Sequence, residues 1–282
     1  MNDSLINASV SLNGLQNKLD VLAHNIANSN TIGFKRKNAT FHDIFTSTLN
    51  QPQGFQQQGR MTPLGLTYGW GAKLSQIQVD MSQGTLKNTD NPMDFAIEGE
   101  ALFEVQRTGA DGNVQRTWTK DGAFSFSVNP ANPEMVFLTT KEGNFVIDAA
   151  SNQPIQIPRN NRIQVDADGN VMAYNEINRD EPPTAAGSLK LMHIIRPQLL
   201  DQVGEKLFAL QNGVNEADAL TQVAGQVDLP QISVRQGFLE QSNAILANEM
   251  TDLITTQRAY QMNARAITSA DMMMGIANNL RA

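Results

Sequence analysis

The sequence predicts an α+β fold in which long heptad helices at the N- and C-terminal ends pair as a coiled coil and flank a mainly antiparallel β domain. Three observations support this prediction. Apolar residues recur at alternating spacings of four and three near each end of the 282-residue chain. Between the ends, short alternating or aromatic-rich runs are separated by turn sequences rich in Gly, Asn and Asp, which is typical of short antiparallel strands.

The N-terminal heptad helix covers residues 4–28. The e and g positions beside its seam carry one charged residue, Lys18, whereas a coiled coil standing in water normally carries Glu and Lys there. We therefore expect a helix that is packed on several sides, by its own chain or by neighbours. Its a and d positions are Leu5, Ala8, Leu12, Leu15, Leu19, Leu22 and Ile26.

The end of this helix and the connector after it are also visible in the sequence. Asn28–Thr31 are short polar residues that compete with helical hydrogen bonding, and Gly33 permits a left-handed backbone. Residues 35–71 are predicted to form an extended connector, because residues 50–71 are rich in Gln, Gly and Pro and lack periodicity. At its start, Phe41–Phe45 places apolar side chains at i, i+3 and i+4, which predicts a short amphipathic turn of helix.

Residues 72–200 are predicted to form a β-rich domain. Turn sequences recur in it, among them Lys120-Asp121-Gly122 and Asp166–Asn170. The runs between the turns predict strands at Phe95–Ile97, Leu102–Val105, Val114–Thr119, Phe124–Val128, Met135–Thr140, Phe145–Asp148, Ile163–Asp166 and Val171–Tyr174, and a last long strand at Ser188–Arg196.

Residues 201–236 are predicted to be a return segment, and residues 237–282 to contain the second long helix, at about 239–279. With residues 1–34 this helix is predicted to form one assembly domain. Polar residues interrupt its heptad pattern, as register-setting positions do. The a and d positions are Leu239, Asn243, Leu246, Met250, Leu253, Gln257, Tyr260, Ala264, Ile267, Asp271 and Met274.

The composition excludes several classes of protein and of site. The net charge of -7 argues against a general nucleic-acid binder, which needs a basic face. The chain contains no Cys, so disulfides and thiolate metal sites are excluded. No stretch approaches the roughly 18 apolar residues that span a bilayer. The first residues lack the charge and apolar run of a cleaved secretory signal peptide.

The sequence predicts neither an enzyme nor a cofactor. His24, His42 and His193 are the three histidines, and none has a partner at the spacing of a metal or catalytic signature. Nucleophile and phosphate-binding motifs are absent from the sequence as well.

Two acidic clusters do not predict a catalytic or calcium-binding site. The acids between Asp90 and Glu100 suggest an acid pair, but nothing in the sequence specifies their separation. Asp166–Asn170 begins like a calcium loop, yet its glycine comes early and the twelfth position is Ile177, so a hairpin turn is favoured.

Both ends and the middle of the chain resemble the bacterial flagellar rod and hook proteins. Leu19–Lys35 is similar to their N-terminal signature, NIAN-x-NT-x-GFK, and Gly237–Ile267 to their C-terminal signature with its SN, EM, LI and QRAY elements. Between these, Ser82–Thr89 resembles SQG-x-L-x-x-T, Asp94–Gly99 resembles D-x-AI-x-G, and Thr119–Gly122 resembles a T-R-D-G turn.

The resemblance implies a structural subunit of the flagellar basal-body rod in the cell envelope, with paired terminal helices lining a tube and β domains outside. It implies self-assembly, contacts with other rod and hook proteins, transmission of torque, and export by the flagellar type III apparatus without a cleaved signal. Chain length suits a rod protein better than a hook protein, and QRAY points toward the distal rod. Proximal rod, distal rod, Gram-positive rod paralogue and hook subunit all stay open.

Two sets of residues become functional candidates on this basis. The export-recognition candidates are Phe41, Ile44 and Phe45, for which a short helix packed on the β domain is an equal alternative. The assembly-interface candidates are Leu5, Leu12, Leu15, Leu19, Leu22, Asn25, Ile26, Asn28, Leu239, Leu246, Met250, Leu253, Ile254, Tyr260 and Ile267.

A physical argument agrees with assembly. Burial of the large seam side chains of the first helix contributes about 1.5–3 kcal/mol each, while ordering its backbone costs about 1–2 kcal/mol per residue, so the isolated helix should be marginal. We therefore expect folding to be coupled to packing among neighbouring subunits.

Two functions of other classes stay open. One is a secreted glycan-binding adhesin on a helical stalk, with Trp70 and Trp118 as binding aromatics. The other is a cell-wall hydrolase that uses the acids between Asp90 and Glu100.

Overall fold

The chain forms two compact units. The computed structural model describes residues 2–43, 46–49, 66–69, 72–108, 114–130, 132–175, 182–204, 206–223 and 232–279. Unit 1 comprises Met1–Ala27, Lys37–Gln78 and Leu246–Ala282, and unit 2 comprises Asn28–Arg36 and Val79–Ile245. Within these ranges the helices are α1 (Asn2–Ala27), α2 (Glu216–Ala219) and α3 (Leu246–Asn279), and a 3-10 turn lies at Pro197–Leu199.

The predicted fold class is wrong. The chain is mostly β, with a single long helix, α3, near its C-terminal end and a shorter helix, α1, near its N-terminal end. It is not a pair of long terminal helices that flank a β domain as a coiled coil. The predicted seam positions Leu246 and Met250 are 44% and 50% exposed, whereas a and d side chains of a coiled coil are buried in its partner.

The first residues of the predicted C-terminal helix form a strand instead. Gly237 takes a φ of 80°, and strand β21 (Phe238–Glu240) pairs antiparallel with strand β5 (Leu86–Asn88). Residues 238–240 pair with β5, and the main-chain oxygen of Glu240 accepts the N–H of Gly33, so the helix begins only at Leu246. The predicted seam positions Leu239 and Asn243 therefore lie outside α3.

Unit 1 combines the two terminal helices with short hairpin strands. Within it α1 and α3 contact each other, and α1 also contacts strand β1 (Lys37–Asp43). β1 pairs with β4 (Ala72–Val79), and β2 (Thr46–Leu49) pairs with β3 (Leu66–Gly69). None of the helices in the described ranges has the length and hydropathy needed to cross a membrane.

The amphipathic helix predicted at Phe41–Phe45 is wrong where the structure describes it. Phe41–Asp43 belong to β1, whose pairing with β4 supplies hydrogen bonds that an isolated helical turn would lack. One side-chain contact adds to this pairing, because Oγ1 of Thr40 donates to the main-chain oxygen of Gln76 at 3.0 Å. Most of the predicted connector, including residues 50–65 and Trp70, lies outside the described residues.

Unit 2 is built on antiparallel sheets. Among its described residues, the largest sheet has ten strands, and β7 is central in it because it pairs with β8, β11 and β16. The strands of unit 2 not yet given bounds are β6 (Phe95–Glu98), β7 (Ala101–Thr108), β8 (Val114–Thr119), β9 (Phe124–Val128), β10 (Met135–Thr140), β11 (Phe145–Val146), β12 (Gln156–Pro158), β13 (Asn161–Val165), β14 (Asn170–Asn175), β15 (Thr184–Ser188), β16 (Leu191–Ile194), β17 (Leu200–Gln202), β18 (Leu207–Leu210), β19 (Leu220–Gln222) and β20 (Ser233–Gln236).

Two apolar clusters form the core of unit 2. The larger is centred on Phe95, Phe103 and Phe124, whose ring centroids are 5.7 Å (Phe95–Phe124) and 5.2 Å (Phe103–Phe124) apart. The second contains Trp118 and Phe208, both at most 2% exposed. Burial of these apolar clusters, aliphatic and aromatic side chains together, favours the folding of unit 2.

Candidate assembly site

The amide of Asn25 connects three elements of unit 1. Its side chain is fully buried near the end of α1. Nδ2 donates to the main-chain oxygen of Lys37 at 2.9 Å and to Oε2 of Glu249 at 3.0 Å, and Oδ1 accepts the main-chain N–H of Lys37 at 2.9 Å. One buried amide thus meets β1 and α3 together, and its burial is compensated by hydrogen bonds to both.

The inward face of α3 differs from the predicted seam by one residue at three positions. The described side chains of α3 that are buried are Glu249, Thr256 and Ala270, each one residue before a predicted seam position. Glu249 lies in the first turn of the helix, where the helix dipole favours a carboxylate. The half-buried seam candidates between these small or polar residues are Leu253, Tyr260 and Ile267.

A neighbouring side of α3 exposes large apolar side chains near both ends of the helix. Leu246, Met250 and Ile254 follow at intervals of four residues, which puts them on one side of the helix, and they are 44–50% exposed. Met272 and Ile276 repeat the spacing near the other end and are 68% and 62% exposed. We call these five residues the apolar stripe of α3.

The candidates on α1 are less exposed than the apolar stripe. Leu22 and Asn25 are buried, and those described as half-buried are Leu5, Leu12, Leu15, Leu19 and Ile26. The structure therefore does not bring all the assembly candidates to one surface.

Asn28 and Leu239 belong to unit 2 instead. Oγ1 of Thr31 donates to Oδ1 of Asn28 at 3.1 Å, and Leu239 is buried in β21. Of the export candidates, Phe41 is half-buried in β1, whereas Ile44 and Phe45 lie outside the described residues.

Gly33 lies in close contact with the β strands of unit 2. Its φ is 70°, and its N–H donates to the main-chain oxygen of Glu240 at 2.9 Å. A Cβ atom at this position would lie 2.7 Å from the main-chain nitrogen of Asp121. Both the backbone conformation and the space therefore require glycine here, and the next residue, Phe34, is buried.

Two lysines and one glutamate form a buried ion cluster in unit 2. Nζ of Lys35 lies 2.6 Å from Oε1 of Glu240, and Nζ of Lys120 lies 3.3 Å from Oε2 of Glu240. Oε1 of Glu240 also accepts the N–H of Gly84 at 2.8 Å. We call Lys35, Lys120 and Glu240 the ion cluster; all three side chains are at most 2% exposed.

The ion cluster carries one positive charge in excess when both lysines are protonated. Burial lowers the pKa of Lys120 from 10.5 to about 8, although attraction to Glu240 offsets part of that effect. Main-chain oxygens solvate both ammonium groups: Lys35 donates to Ser82 at 2.7 Å, and Lys120 donates to Gly99 at 2.7 Å.

The side chain of Asn243 makes a further connection inside unit 2. Its Oδ1 accepts the N–H of Arg36 at 2.7 Å, and its Nδ2 donates to the main-chain oxygens of Asp80 at 2.9 Å and Ser82 at 3.1 Å. A residue predicted as a seam amide of a helix therefore binds the backbone of three other residues of unit 2.

Two of the acidic residues from Asp90 to Glu100, namely Asp94 and Glu98, have structural partners. Nδ2 of Asn91 donates to Oδ1 of Asp94 at 3.1 Å, and Glu98 pairs with Arg235 at 2.9 Å. No group of three or more His, Asp or Glu in the part of the chain that the structure describes could hold a metal ion. The turn at Asp166–Asn170 connects the antiparallel strands β13 and β14, which confirms the predicted hairpin.

Sequence reasoning selected Asn25 but missed the charged residues that make these connections. It selected Leu239 and Met250, whereas the long-range contacts are made by their neighbours Glu240 and Glu249. A signal existed, since each is a carboxylate in a segment with few charges. Lys35 and Lys120 stand in two of the stretches that resemble flagellar proteins.

Three family models match the chain. The model described as flagella basal body rod protein matches residues 6–35, and the flagellar hook protein FlgE/F/G D1 domain matches residues 96–173. The flagellar basal body rod FlgEFG protein C-terminal model matches residues 235–280. Each matched range contains one member of the ion cluster.

Relatives match over almost the whole chain. It is 32% identical over 281 residues to the flagellar hook-basal body complex protein FlhP of Bacillus subtilis, covering 99% of both chains. It is 31% identical over 281 residues to the flagellar basal-body rod protein FlgG of Borreliella burgdorferi, covering 99% of this chain and 98% of the relative. With FlgG of Agrobacterium fabrum it shares 33% identity over 275 residues, or 96% of both chains.

Proposed function

Because this chain belongs to the flagellar basal-body rod family, we propose that it assembles through unit 1 into a helical axial tube that transmits torque. The chain is a structural rod subunit of the flagellar basal body, and membership of the family implies assembly with other rod and hook proteins.

The apolar stripe of α3 is the observation that supports assembly through unit 1. Exposed Leu, Met and Ile side chains near both ends of a helix are costly in water, because their apolar surface stays hydrated. Apolar surface of this kind typically marks a protein–protein contact. Met side chains also adapt to differently shaped neighbours, which suits a subunit whose partners include other rod and hook proteins.

The half-buried side chains of α1 extend the proposed assembly surface. Leu5, Leu12, Leu15, Leu19 and Ile26 each keep part of their surface accessible in the isolated chain. Packing against neighbouring subunits would bury the remainder, and we propose that it stabilises unit 1 in the tube. The tube is proposed to be non-enzymatic, and its function depends on packing and stiffness.

Substitution on the apolar stripe tests the assembly proposal. Met250→Asp with Ile254→Asp places two carboxylates in the proposed contact, where burial of an unpaired charge costs several kcal/mol. We expect rod assembly and swimming to be lost while the isolated protein keeps its circular dichroism spectrum and melting temperature. Electron microscopy of purified basal bodies and motility in soft agar measure the effect.

A control is Asn248→Asp, which adds one carboxylate at an exposed position of α3 outside the stripe. The control strain is expected to assemble rods and to swim. Normal rods in the Met250→Asp, Ile254→Asp strain would contradict the proposal, and so would loss of rods in both strains.

We further propose export by the flagellar type III apparatus without a cleaved signal, with Phe41, Ile44 and Phe45 in the recognised segment. The triple Ser variant should accumulate inside cells and be missing from basal bodies, which immunoblots of the two fractions measure. The variant Asn38→Ser in the same region is the control. Incorporation of the triple variant into rods at the normal level would refute this part.

A further inference from the structure

The ion cluster joins three parts of unit 2 that are far apart in the sequence. Lys35 belongs to an N-terminal segment, residues 33–36, and Glu240 belongs to a C-terminal segment, residues 239–243. Lys120 follows β8 in the middle of the chain. The proposed assembly surface does not involve these side chains, so the ion cluster needs a separate explanation.

Glu240 is the one carboxylate that pairs with either lysine among the ion pairs of the described residues. Removal of it would leave two ammonium groups in a site where both lysine side chains are 2% exposed. Their other contacts are neutral main-chain oxygens, such as those of Ser82 and Gly99. Neutral oxygens solvate a cation but do not cancel its charge. Two buried cations that have lost their paired carboxylate are therefore unfavourable, and only the longer-range attraction of Glu100 on Lys120 remains.

The backbone of the N-terminal segment also forms hydrogen bonds with the C-terminal segment. The N–H of Gly33 donates to the main-chain oxygen of Glu240 at 2.9 Å, and the N–H of Arg36 donates to Oδ1 of Asn243 at 2.7 Å. The N-terminal segment therefore obtains both its charge partner and two of its hydrogen-bond partners from the C-terminal segment.

We propose that the carboxylate of Glu240 makes docking of the N-terminal segment in unit 2 conditional on the C-terminal segment. Until Glu240 is in place, burial of Lys35 beside Lys120 is unfavourable, and residues 33–36 stay undocked. A chain synthesised from its N-terminal end acquires Glu240 only near completion. This dependence is a property of the single chain and does not rest on the proposed function.

Hydrogen exchange of the full-length protein tests the dependence. In Glu240→Gln the shape, the backbone and an acceptor for the N–H of Gly84 are kept, but the negative charge is lost. We expect the amides of Gly33 and Asp80 to exchange about 100-fold faster or more. The amide of Asp80 reports docking because it donates to the main-chain oxygen of Arg36 at 2.9 Å. Amides of β9 and β10 should stay within about threefold of the wild-type rates, because the opening is local.

A rescue variant separates charge from shape. Glu240→Gln combined with Lys35→Met and Lys120→Met has no buried cation, so its exchange rates at Gly33 and Asp80 should return to within about tenfold of wild type. Glu98→Gln is the control for loss of a carboxylate, since Glu98 pairs with the half-exposed Arg235, and it should leave the rates at Gly33 and Asp80 unchanged.

Three outcomes would overturn the proposal. The first is unchanged exchange at Gly33 and Asp80 in Glu240→Gln. The second is equal acceleration in β9 and β10, which would make Glu240 a general stabiliser of unit 2. The third is a rescue variant that exchanges as fast as Glu240→Gln.

The order of folding gives a second test on the same chain. In pulsed hydrogen exchange during refolding from denaturant, the amide of Asp80 should gain protection together with that of Gln241, which donates to Thr85 at 2.9 Å. Protection of Asp80 in an earlier phase would refute conditional docking. Neither experiment involves rod assembly, so failure of the assembly proposal would not affect the result.

Discussion

The Nζ atom of Lys35 lies 2.6 Å from Oε1 of Glu240, and neither side chain is more than 2% exposed. The contact connects a residue near the start of the chain with one near the start of its last family-matched range. Lys120 shares the same carboxylate. Substitutions of the three members of the ion cluster should therefore change the free energy of unfolding of unit 2 by different amounts.

Glu240→Gln should destabilise unit 2 more than Lys120→Met does. The first change leaves two buried cations unpaired and should cost about 3–5 kcal/mol, while the second leaves a one-to-one ion pair and should cost less than about 2 kcal/mol. Denaturant unfolding followed by tryptophan fluorescence measures both. The exposed-pair control Glu98→Gln should cost under about 1 kcal/mol. A larger loss for Lys120→Met than for Glu240→Gln would contradict the assigned charge balance.

The unfolding free energy should rise with pH between about 8 and 10.5 through Lys120. Burial lowers the pKa of Lys120 to about 8 in the folded chain, whereas it is 10.5 when unperturbed. In this interval the unfolded state binds more protons than the folded state, so an increase in pH favours folding. The full shift corresponds to a gain on the order of 3 kcal/mol.

The measurement for this pH effect is the difference in unfolding free energy between wild type and Lys120→Met at each pH. Other groups that titrate in the same interval contribute to both proteins and are removed by subtraction. The difference should change in favour of wild type as pH rises through 8. Parallel profiles for the two proteins would show that Lys120 keeps an ordinary pKa.

Gly33→Ala should destabilise the protein by about 3 kcal/mol or more. The new Cβ would require a left-handed φ and would lie 2.7 Å from a backbone atom of Asp121. Gly143→Ala is the matched control, because Gly143 has a φ of 86° but nothing within 4 Å of the added Cβ, and it should cost about 1–2 kcal/mol. Equal losses in thermal unfolding would mean that the contact with Asp121 has no energetic effect.

Asn25→Asp should destabilise unit 1 at neutral pH and recover part of the loss in acid. The new carboxylate would stand where Nδ2 lies 3.0 Å from Oε2 of Glu249, so two negative charges would meet in a buried site at a cost of about 3 kcal/mol or more. The folded state then takes up a proton more readily than the unfolded chain, so the deficit should shrink as the pH falls toward about 4.

The control for this charge effect is Asn13→Asp, which makes the same change at an exposed position of α1. Its deficit in thermal unfolding should be under about 0.5 kcal/mol and nearly independent of pH. A deficit for Asn25→Asp that grows in acid would contradict the like-charge explanation.

The strands of unit 2 could be predicted from local sequence because turn residues mark their ends. Val114–Thr119, Phe124–Val128 and Met135–Thr140 are strands with the predicted bounds. The long strand predicted at Ser188–Arg196 is wrong, since β15 ends at Ser188 and β16 is confined to Leu191–Ile194. β15 pairs with β14, whereas β16 pairs with β7. Local periodicity does not indicate which distant strand a segment will pair with.

The fold class could not be predicted from the heptad pattern alone. A spacing of four and three indicates which residues would share one face, but it does not state whether a strand competes for the same residues. β5 pairs with residues 238–240 and ends the helical pattern there. The buried positions Glu249 and Thr256 are polar, so a search for apolar seams places the inward face one residue away.

For the apolar part of the candidate site, the sequence predicted which residues share a helix face but not what they contact. Leu246, Met250 and Ile254 do lie on one exposed side of α3, but their role in assembly stays a prediction. The ion cluster connects residues more than eighty positions apart, and no local rule pairs Lys35 with Glu240. A carboxylate and two ammonium groups become partners only after the surrounding strands have excluded water.

The buried amide of Asn25 prevents α1 and α3 from sliding along each other. A slip of one helical turn, about 5.4 Å, would bring Leu253 to the position of Glu249 and leave a buried carboxylate beside apolar side chains. Apolar surfaces alone would tolerate such a slip, because they are weakly directional. In the proposed rod, an axial or twisting load on unit 1 would have to break the hydrogen bonds of Asn25 before the helices could slide. We therefore expect α1 and α3 to move together as one rigid element.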